Sequence, residues 1–336
     1  MRKNLTRLAL CFMVLLLVVG VAFAREWTVP DKTGLIPVKG GHVFYRMYGE
    51  DKPGTPLLVL HGGPGGNMQK YYNMVEFVKD RPVVFYNQLG SAATAISAEY
   101  TTVEQIQSLL TVERFVNELE TVVNHFKFKQ YNLLGVSWGS WLAVNYYLDK
   151  KPVGLKSMVL TGPFLNVNMW IADAERLIKS LPDGDAHWDV VEDCIAKNDF
   201  DTPEYKKVDG IYYDNFGCRD QSVLADLPPK DPAAINFAGK AVSVYNYMWG
   251  PSEYTCNGTL KGKELSSRLG EVKVPVLYVS GEYDSGTPET ANYYKSLTPD
   301  AEVFVIPNTG HNSYLEKPDM YYEKVSEFLK VSNKGL

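Results

Sequence analysis

Short apolar runs alternate with longer amphipathic segments over most of the chain. The short runs are rich in β-branched and aromatic residues, which favours buried strands, and the longer segments repeat apolar residues every three or four positions, which favours helices. The predicted strands are residues 35–38, 43–48, 57–60, 83–86, 131–134, 157–160, 274–280 and 302–306. Such alternation is typical of βα units on a mostly parallel sheet, so we expect an α/β fold.

The same pattern predicts a hairpin at the start of the sheet and several of the helices. The first two strands flank residues 39–42, where two glycines predict the turn of an antiparallel hairpin. Apolar residues recur at helical spacing over 102–126, which predicts one long helix or two abutting helices. Residues 288–297 and 320–331 predict helices on either side of the last strand.

The alternation stops between residues 164 and 270. This segment mixes tryptophans, tyrosines and Pro/Asp/Gly turns with short helical patches, and it has no clear strand pattern. An insertion between two stretches of one sheet explains the change better than two separate domains. We therefore predict an α/β core in two parts, residues 25–163 and 271–336, with an inserted helical cap at 164–270.

The first 24 residues form a pattern separate from the fold. Three basic residues precede an apolar run over residues 8–21, and Ala22-Phe23-Ala24 has the small residues of a cleavage site. The run is shorter than the roughly 20 residues that a membrane-spanning helix needs. We predict a signal peptide cleaved after Ala24, and a secreted or periplasmic protein without stable membrane association after cleavage. An uncleaved membrane anchor is the alternative.

Composition narrows the class of protein but not its chemistry. The chain has 336 residues, a formal net charge of −5, 45% hydrophobic residues and 22% charged residues. These values exclude a disordered chain or a small disulfide scaffold. The chain is acidic and carries no Lys/Arg run after its first few residues, so it offers no surface for phosphate backbones, and we expect no nucleic-acid partner. The sequence leaves the oligomeric state open.

Three of the four cysteines, Cys194, Cys218 and Cys256, lie beyond the predicted cleavage point and within the cap. Because disulfides persist in exported proteins, the simplest expectation is one disulfide and one free thiol, with the pairing left open. None of the cysteines has Cys-x-x-Cys or His-rich spacing, so we expect no metal site.

The strongest chemical signal directly follows the strand at 131–134. Gly135-Val136-Ser137-Trp138-Gly139 matches Gly-x-Ser-x-Gly and is followed by a helical run over 140–148. Between a strand and a helix, the two glycines permit a tight turn that lifts the serine above the sheet edge. We predict that Ser137 is a catalytic nucleophile.

A serine nucleophile needs a base to take its proton and a third group to orient that base. His311 follows the last predicted strand and Asp284 follows the strand at 274–280, so both lie at the carboxyl edge of the sheet, where ligands of open α/β folds bind. The chain order Ser137, Asp284, His311 is the order expected for α/β-hydrolases. Glu282 is the alternative acid.

A glycine-rich loop, residues 61–66, directly follows the strand at 57–60. Acyl transfer needs N–H donors aimed at the developing oxyanion. We assign this oxyanion hole to the backbone N–H groups of Gly63 and Trp138, and we interpret His61 as a structural brace for the loop. No Lys-Ser/Thr follows the glycines, which excludes a nucleotide P-loop.

Together these motifs resemble the proline iminopeptidase family of α/β-hydrolases, in particular its tricorn-interacting aminopeptidase branch. The resemblance covers nearly the whole chain after residue 24. The motifs that carry it are His61-Gly-Gly-Pro-Gly65, Gly135-x-Ser137-Trp138-Gly139, Gly281-Glu-Tyr-Asp284, Gly310-His311 and Met248-Trp-Gly-Pro-Ser-Glu253-Tyr254. It implies a helical cap over the active site and a serine aminopeptidase that needs no cofactor. Such an enzyme releases an N-terminal residue from short peptides, or hydrolyses amino-acid amides, through an acyl-enzyme.

The resemblance also implies substrate-binding residues. In the family an acidic cap residue holds the free α-ammonium of the substrate, and Glu253 is the matching position; we expect Gly62 and Tyr254 to contribute to the same site. A carboxylate in a water-poor pocket would pair with an ammonium and reject blocked N-termini, because burying it unpaired is costly. The branch often has a second acid after the triad aspartate, and here that position is Ser285.

A second departure from the family follows the strand at 83–86. The usual Asp-Gln-x-Gly-x-Gly-x-Ser reads Asn-Gln-Leu-Gly-Ser-Ala-Ala-Thr at residues 87–94. A preference for proline, or even for a free amine, therefore does not follow from the sequence. Two alternatives stay open: a carboxylesterase or other serine hydrolase acting on small esters or amides without a free amine, and a non-catalytic binding protein with the same fold.

Overall fold

The computed structural model describes residues 29–225, 227–228 and 242–332. The predicted signal peptide, residues 1–24, lies outside the described residues and stays a prediction. Within the described ranges, no helix combines the length and the apolar character needed to cross a membrane.

A nine-stranded sheet runs through the described part of the chain. Its strands are β1 Lys32–Val38, β2 Gly41–Tyr48, β3 Leu57–Leu60, β4 Val83–Asn87, β5 Ala95–Ile96, β6 Tyr131–Val136, β7 Leu155–Thr161, β8 Val276–Gly281 and β9 Ala301–Ile306. Their order across the sheet is β1-β2-β4-β3-β6-β7-β8-β9, and the short β5 pairs with β2. β1, β2 and β5 run antiparallel to their neighbours, and from β4 to β9 every pair in that order is parallel.

Helices cover the sheet and form the cap. The α-helices are α1 Val103–Gln107, α2 Val112–Phe126, α3 Trp138–Lys150, α4 Val167–Lys179, α5 Gly184–Lys197, α6 Pro203–Tyr212, α7 Val244–Met248, α8 Pro288–Leu297, α9 Ser313–Glu316 and α10 Pro318–Ser332. Shorter 3-10 helices span Met68–Glu76, Gln221–Leu224 and Ser266–Glu271, and a π-helical turn spans Tyr213–Gly217.

The structure confirms the α/β architecture and the strands predicted from the pattern. It resolves the segment 102–126 in favour of two helices, because the chain leaves α1 at Ser108 and the Thr111 hydroxyl caps α2 by accepting from the Arg114 amide. The sequence pattern misses β5, since a two-residue strand has no measurable period.

Side chains on both faces of the sheet are buried, which explains why the strands read as nearly continuous apolar runs. Along β3, Leu58 and Leu60 join a core with α1, α2, α3 and α8, whereas Leu57 and Val59 join a core with α10 and the helix Met68–Glu76 on the opposite face. The alternation follows from the two-residue period of a strand. Because β3, β6, β8 and β9 run in the same direction, the loops that follow them emerge at one edge of the sheet.

The segment between β7 and β8 contributes helices α4 to α7 and has a small core of its own, which includes Trp188, Tyr205 and Tyr212. The disulfide expected in this segment is not formed: the three cysteines within the described residues are free thiols. They lie in different surroundings, since Cys194 belongs to the core of the cap and Cys256 packs against the core that the sheet shares with α1, α2, α3 and α8. Burial raises the pKa of Cys218 to about 11 and of Cys256 to about 12, so both thiols are protonated at neutral pH.

Candidate active site

Ser137 occupies the tight turn between β6 and α3. Its backbone angles are φ 55° and ψ −118°, a conformation that L-residues rarely adopt and that costs on the order of 1–3 kcal/mol. The flanking glycines make the turn possible, because a Cβ on Gly135 would lie 2.2 Å from the Gly139 carbonyl oxygen, and a Cβ on Gly139 would lie 2.2 Å from the Leu60 carbonyl oxygen. The local sequence therefore fixes the serine at the edge of the sheet.

The structure brings together Asp284 and His311 from the loops after β8 and β9. His311 Nδ1 lies 2.6 Å from Asp284 Oδ1. Asp284 is fully buried, and its carboxylate accepts hydrogen bonds from the amides of Gly286, at 2.7 Å, and Gly281, at 3.3 Å. The contact between His311 Nδ1 and Asp284 Oδ1 favours the histidine tautomer with the proton on Nδ1, which leaves Nε2 free to act as a base. Ser137 and His311 line the same cavity.

The surroundings of His311 favour its protonated form. Burial lowers the pKa of this histidine, but the Asp284 carboxylate opposes that effect through its charge and its hydrogen bond, with a further contribution from Glu253. The net result is a pKa raised above the ordinary value of 6.5. An imidazole of this kind is a stronger base toward a serine hydroxyl than an isolated one.

The glycine-rich loop after β3 also lines this site. Gly63 has φ 50°, a left-handed conformation that favours glycine, and it lines the cavity together with Ser137 and Trp138. Gly62 also lines the larger cavity, but its N–H donates to the Tyr71 hydroxyl at 3.0 Å. The Gly62 amide therefore holds the loop in place, and Gly63 and Trp138 remain the amides assigned to the oxyanion.

A buried network braces this loop, as the sequence predicted for His61. His61 Nε2 accepts from the Gln88 amide at 3.0 Å, and His61 Nδ1 lies 3.1 Å from the Gly62 carbonyl oxygen. Burial lowers the pKa of His61 to about 4, so the ring is neutral at physiological pH. The Gln88 side chain donates to the His61 carbonyl and accepts from the Trp138 indole at 2.8 Å. Sequence reasoning missed Gln88 and Tyr71, although the position of Gln88 directly after β4 was a usable signal.

The cap closes the site with aromatic side chains. Phe164, Trp170, Tyr245 and Trp249 line a cleft of about 250 Å³ beside Ser137. The cleft adjoins a wider cavity of about 970 Å³ that contains His311 and the glycine-rich loop. Sequence reasoning did not identify these four residues individually, since tryptophans and tyrosines occur throughout the cap.

Glu253 contributes a carboxylate to both cavities. Its Oε1 accepts hydrogen bonds from the hydroxyls of Tyr245, at 2.8 Å, and Tyr213, at 3.3 Å. Its backbone carbonyl accepts from the Trp170 indole at 2.9 Å. Because both phenols contact the same oxygen, the arrangement fixes the orientation of the carboxylate and leaves Oε2 for a ligand.

The structure does not place Tyr254 at the substrate site, which corrects the expectation from the sequence. Its side chain is fully buried in the core of the cap, with ring centroids 5.5 Å from Tyr205 and 5.3 Å from Tyr212. Glu253 and Tyr254 are the two central residues of a turn closed by a hydrogen bond from the Thr255 amide to the Ser252 carbonyl oxygen, at 3.2 Å. Within this turn the Glu253 side chain lines the cavity and the Tyr254 side chain packs inside the cap.

A nucleophile elbow, a buried Asp–His pair and a glycine-rich loop at the carboxyl edge of a mostly parallel sheet define a serine hydrolase of the α/β-hydrolase fold. Comparison with known proteins agrees, since the protein-family model described as "alpha/beta hydrolase fold" matches residues 55–318. A curated proline iminopeptidase from Heyndrickxia coagulans is 34% identical over 299 residues, which covers 88% of this chain and 98% of the relative. The chain belongs to the proline iminopeptidase family.

Solved structures extend the similarity to three dimensions. The crystal structure of a proline iminopeptidase from Mycobacterium smegmatis has 25% sequence identity and a TM-score of 0.75, over 90% of this chain and 98% of that one. The crystal structure of VinJ has 27% identity and a TM-score of 0.77, over 90% of this chain and 99% of that one. The similarity therefore extends through the cap as well as the core.

Proposed function

We propose that this protein is a serine aminopeptidase that releases the N-terminal residue of short peptides or hydrolyses amino-acid amides. One observation carries the proposal: the Glu253 carboxylate lines the same cavity as Ser137, with one oxygen held by two phenols. A free α-ammonium is the group that such a carboxylate binds best in a cavity with apolar walls. Membership of the proline iminopeptidase family supports the same reaction.

The geometry supports an acyl-enzyme mechanism. Ser137 Oγ attacks the carbonyl carbon of the N-terminal residue while His311 Nε2 accepts its proton, and the amides of Gly63 and Trp138 stabilise the oxyanion. The protonated His311 then donates to the leaving amine. Water attacks the acyl-enzyme with His311 again acting as the base, and Ser137 is regenerated.

The aromatic cleft indicates the kind of residue that is released. Its walls are rings, and its empty space of about 250 Å³ beside Ser137 is small. A compact apolar side chain or a proline ring would bury its surface against these rings, whereas a charged side chain would lose its hydration without a partner of its own, because the α-ammonium already occupies Glu253. We expect Pro-, Ala- and Leu-arylamides to be better substrates than Lys- or Glu-arylamides.

A substrate panel tests the proposal. It compares Pro-, Ala-, Leu-, Phe-, Lys- and Glu-arylamides, their N-acetylated forms and a short-chain nitrophenyl ester. We expect the free-amine arylamides to have kcat/KM values at least 100-fold above those of the acetylated forms. Equal rates on free and acetylated arylamides, with rapid ester hydrolysis, would instead identify a carboxylesterase.

We also propose that the protein is exported and acts outside the cytoplasm. The support is the N-terminal sequence alone, with its basic start, its apolar run over residues 8–21 and the small residues at 22–24. Expression of the full chain in a bacterial host, cell fractionation and N-terminal sequencing test this proposal. A mature chain that begins at Arg25 in the exported fraction is expected, and an intact N-terminus in the cytoplasm would contradict it.

A further inference from the structure

The loop that carries His311 is held from two sides. On the core side His311 binds Asp284, and on the cap side the amides of His311 and Asn312 donate to the carbonyl oxygens of Phe216, at 2.8 Å, and Gly217, at 2.9 Å. Phe216 and Gly217 end the π-helical turn Tyr213–Gly217. The cap therefore contacts the backbone of the catalytic histidine directly.

Glu316, the last residue of α9, joins the same two segments. Its Oε1 accepts from the Gly310 amide at 2.9 Å, and its Oε2 accepts from the amides of Arg219, at 3.0 Å, and Asp220, at 3.2 Å. Gly310 precedes His311, and Arg219 and Asp220 belong to the cap. One carboxylate thus ties the histidine loop to the cap through three charge-assisted hydrogen bonds.

The contact between the two segments is close. A Cβ on Gly310 would lie 2.8 Å from the Phe216 carbonyl oxygen, so the loop and the cap leave no room for a side chain there. The Arg219 guanidinium also lies 4.0 Å from the centre of the Tyr283 ring. Tyr283 directly precedes Asp284 in the sequence. The cap segment around residues 213–220 therefore touches the neighbours of both His311 and Asp284.

The same cap segment reaches Glu253 at its other end, because the π-helical turn begins with Tyr213, whose hydroxyl binds the Glu253 carboxylate. π-helical turns occur frequently at functional sites. We infer that Glu316 is a positioning residue that fixes the His311 loop against the cap, so that the base is correctly placed only when the cap is docked. This inference rests on the proposed function, since it assumes that His311 is the base.

The test compares Glu316→Gln with wild type on Pro-arylamide and on a nitrophenyl ester. A glutamine offers one acceptor oxygen and turns an NH₂ group toward the remaining amides, so the hydrogen bonds between the histidine loop and the cap are weakened without loss of side-chain volume. We expect kcat to fall 10- to 50-fold on both substrates, with KM changed less than threefold. Glu323→Gln, at an exposed position on α10, is the matched control and is expected to stay within twofold of wild type.

A second variant, Gly310→Ala, attacks the same contact without touching the carboxylate, because its methyl group would push the loop away from Phe216. We expect the same loss of kcat, and this variant decides the question if Glu316→Gln does not fold. The inference is overturned if both variants are folded with kcat within twofold of wild type, or if KM rises while kcat is unchanged. The ester separates this inference from the proposed function, because it reports on His311 even if free amines are not preferred.

Discussion

The carboxyl edge of the sheet and the cap meet in one cavity, but their functional groups are held by different kinds of contact. Ser137 is fixed by the backbone of a strained turn, and Asp284 is fixed by backbone amides. Glu253 is oriented instead by the side-chain hydroxyls of Tyr213 and Tyr245. This difference separates two roles: the core edge supplies the catalytic groups, with His311 positioned against the cap, and Glu253 in the cap determines which substrates are bound.

The largest expected effect comes from the core edge. Ser137→Ala should reduce kcat/KM at least about 10³-fold on free-amine arylamides, acetylated arylamides and esters alike, because every substrate uses the same nucleophile. Initial rates and labelling by a fluorophosphonate probe measure the effect. Retained activity with no loss on any one of these substrates would show that the nucleophile lies elsewhere.

A cap substitution should act on some substrates only. Glu253→Gln keeps the shape of the side chain but removes the charge that binds the ammonium, so we expect a 10- to 100-fold loss on free-amine arylamides, about 1.4–2.8 kcal/mol. Ester hydrolysis should change less than threefold. Steady-state kinetics on both substrates test this difference, and Glu323→Gln is again the control. An equal loss of activity on arylamides and esters would show that Glu253 contributes to the hydrolysis of every substrate and does not select free amines.

Removing a hydrogen bond that supports the glycine-rich loop should reduce activity less, and by the same factor on all substrates. Tyr71→Phe removes the hydroxyl that accepts from the Gly62 amide, a contact with a net contribution of about 1 kcal/mol. We expect kcat to fall three- to tenfold on esters and arylamides, with similar KM values. An effect confined to free-amine substrates would instead assign the loop to amine recognition.

The pH dependence should reflect the raised pKa of His311. Since the neutral imidazole is the base, kcat/KM on the ester should rise with pH through a value above 6.5. The stability contribution has the opposite sign: protonated His311 stabilises the fold below pH 6.5, and this contribution is lost as pH rises through the raised pKa. The pH–rate profiles of wild type and Asp284→Asn test whether Asp284 raises the pKa of His311, because the variant should lose the upward shift of that pKa. An apparent pKa below 6.5 in wild type would contradict this account.

The smallest effect concerns the cysteines of the cap. Because Cys194, Cys218 and Cys256 are free thiols, treatment with dithiothreitol should leave KM and the melting temperature unchanged. Thiol titration of the denatured protein should find these three groups reduced. A melting temperature lowered by several degrees on reduction would reveal a disulfide.

Much of the core could be predicted from the sequence because its signals are local. The strands have a short period, and the turn around Ser137 requires its glycines for steric reasons that are visible in five residues. The positions of Asp284 and His311 follow from strand order and the direction of a parallel sheet. The fold and its hydrolase class were therefore predictable from the pattern together with the family resemblance.

The cap was much less predictable because its contacts are distant in sequence. Tyr213 and Tyr245 approach Glu253 from separate helices, and nothing in the local sequence distinguishes them from Tyr254, which is buried in the cap core.

Asn87, which stands at the end of β4 where the family usually has an aspartate, is also explained only by the three-dimensional structure. Its amide donates to the Ala92 carbonyl at 2.6 Å while its oxygen accepts from the Met68 amide at 2.8 Å, and an aspartate could not make the first bond.

The central claim is that the cap carboxylate selects free N-termini for a core nucleophile that does not itself discriminate. The most direct measurement is the ratio of kcat/KM for Pro-arylamide to kcat/KM for the nitrophenyl ester, determined for wild type and for Glu253→Gln. The account predicts that this ratio falls 10- to 100-fold in the variant while ester hydrolysis is preserved. A ratio that is unchanged by the substitution would contradict it.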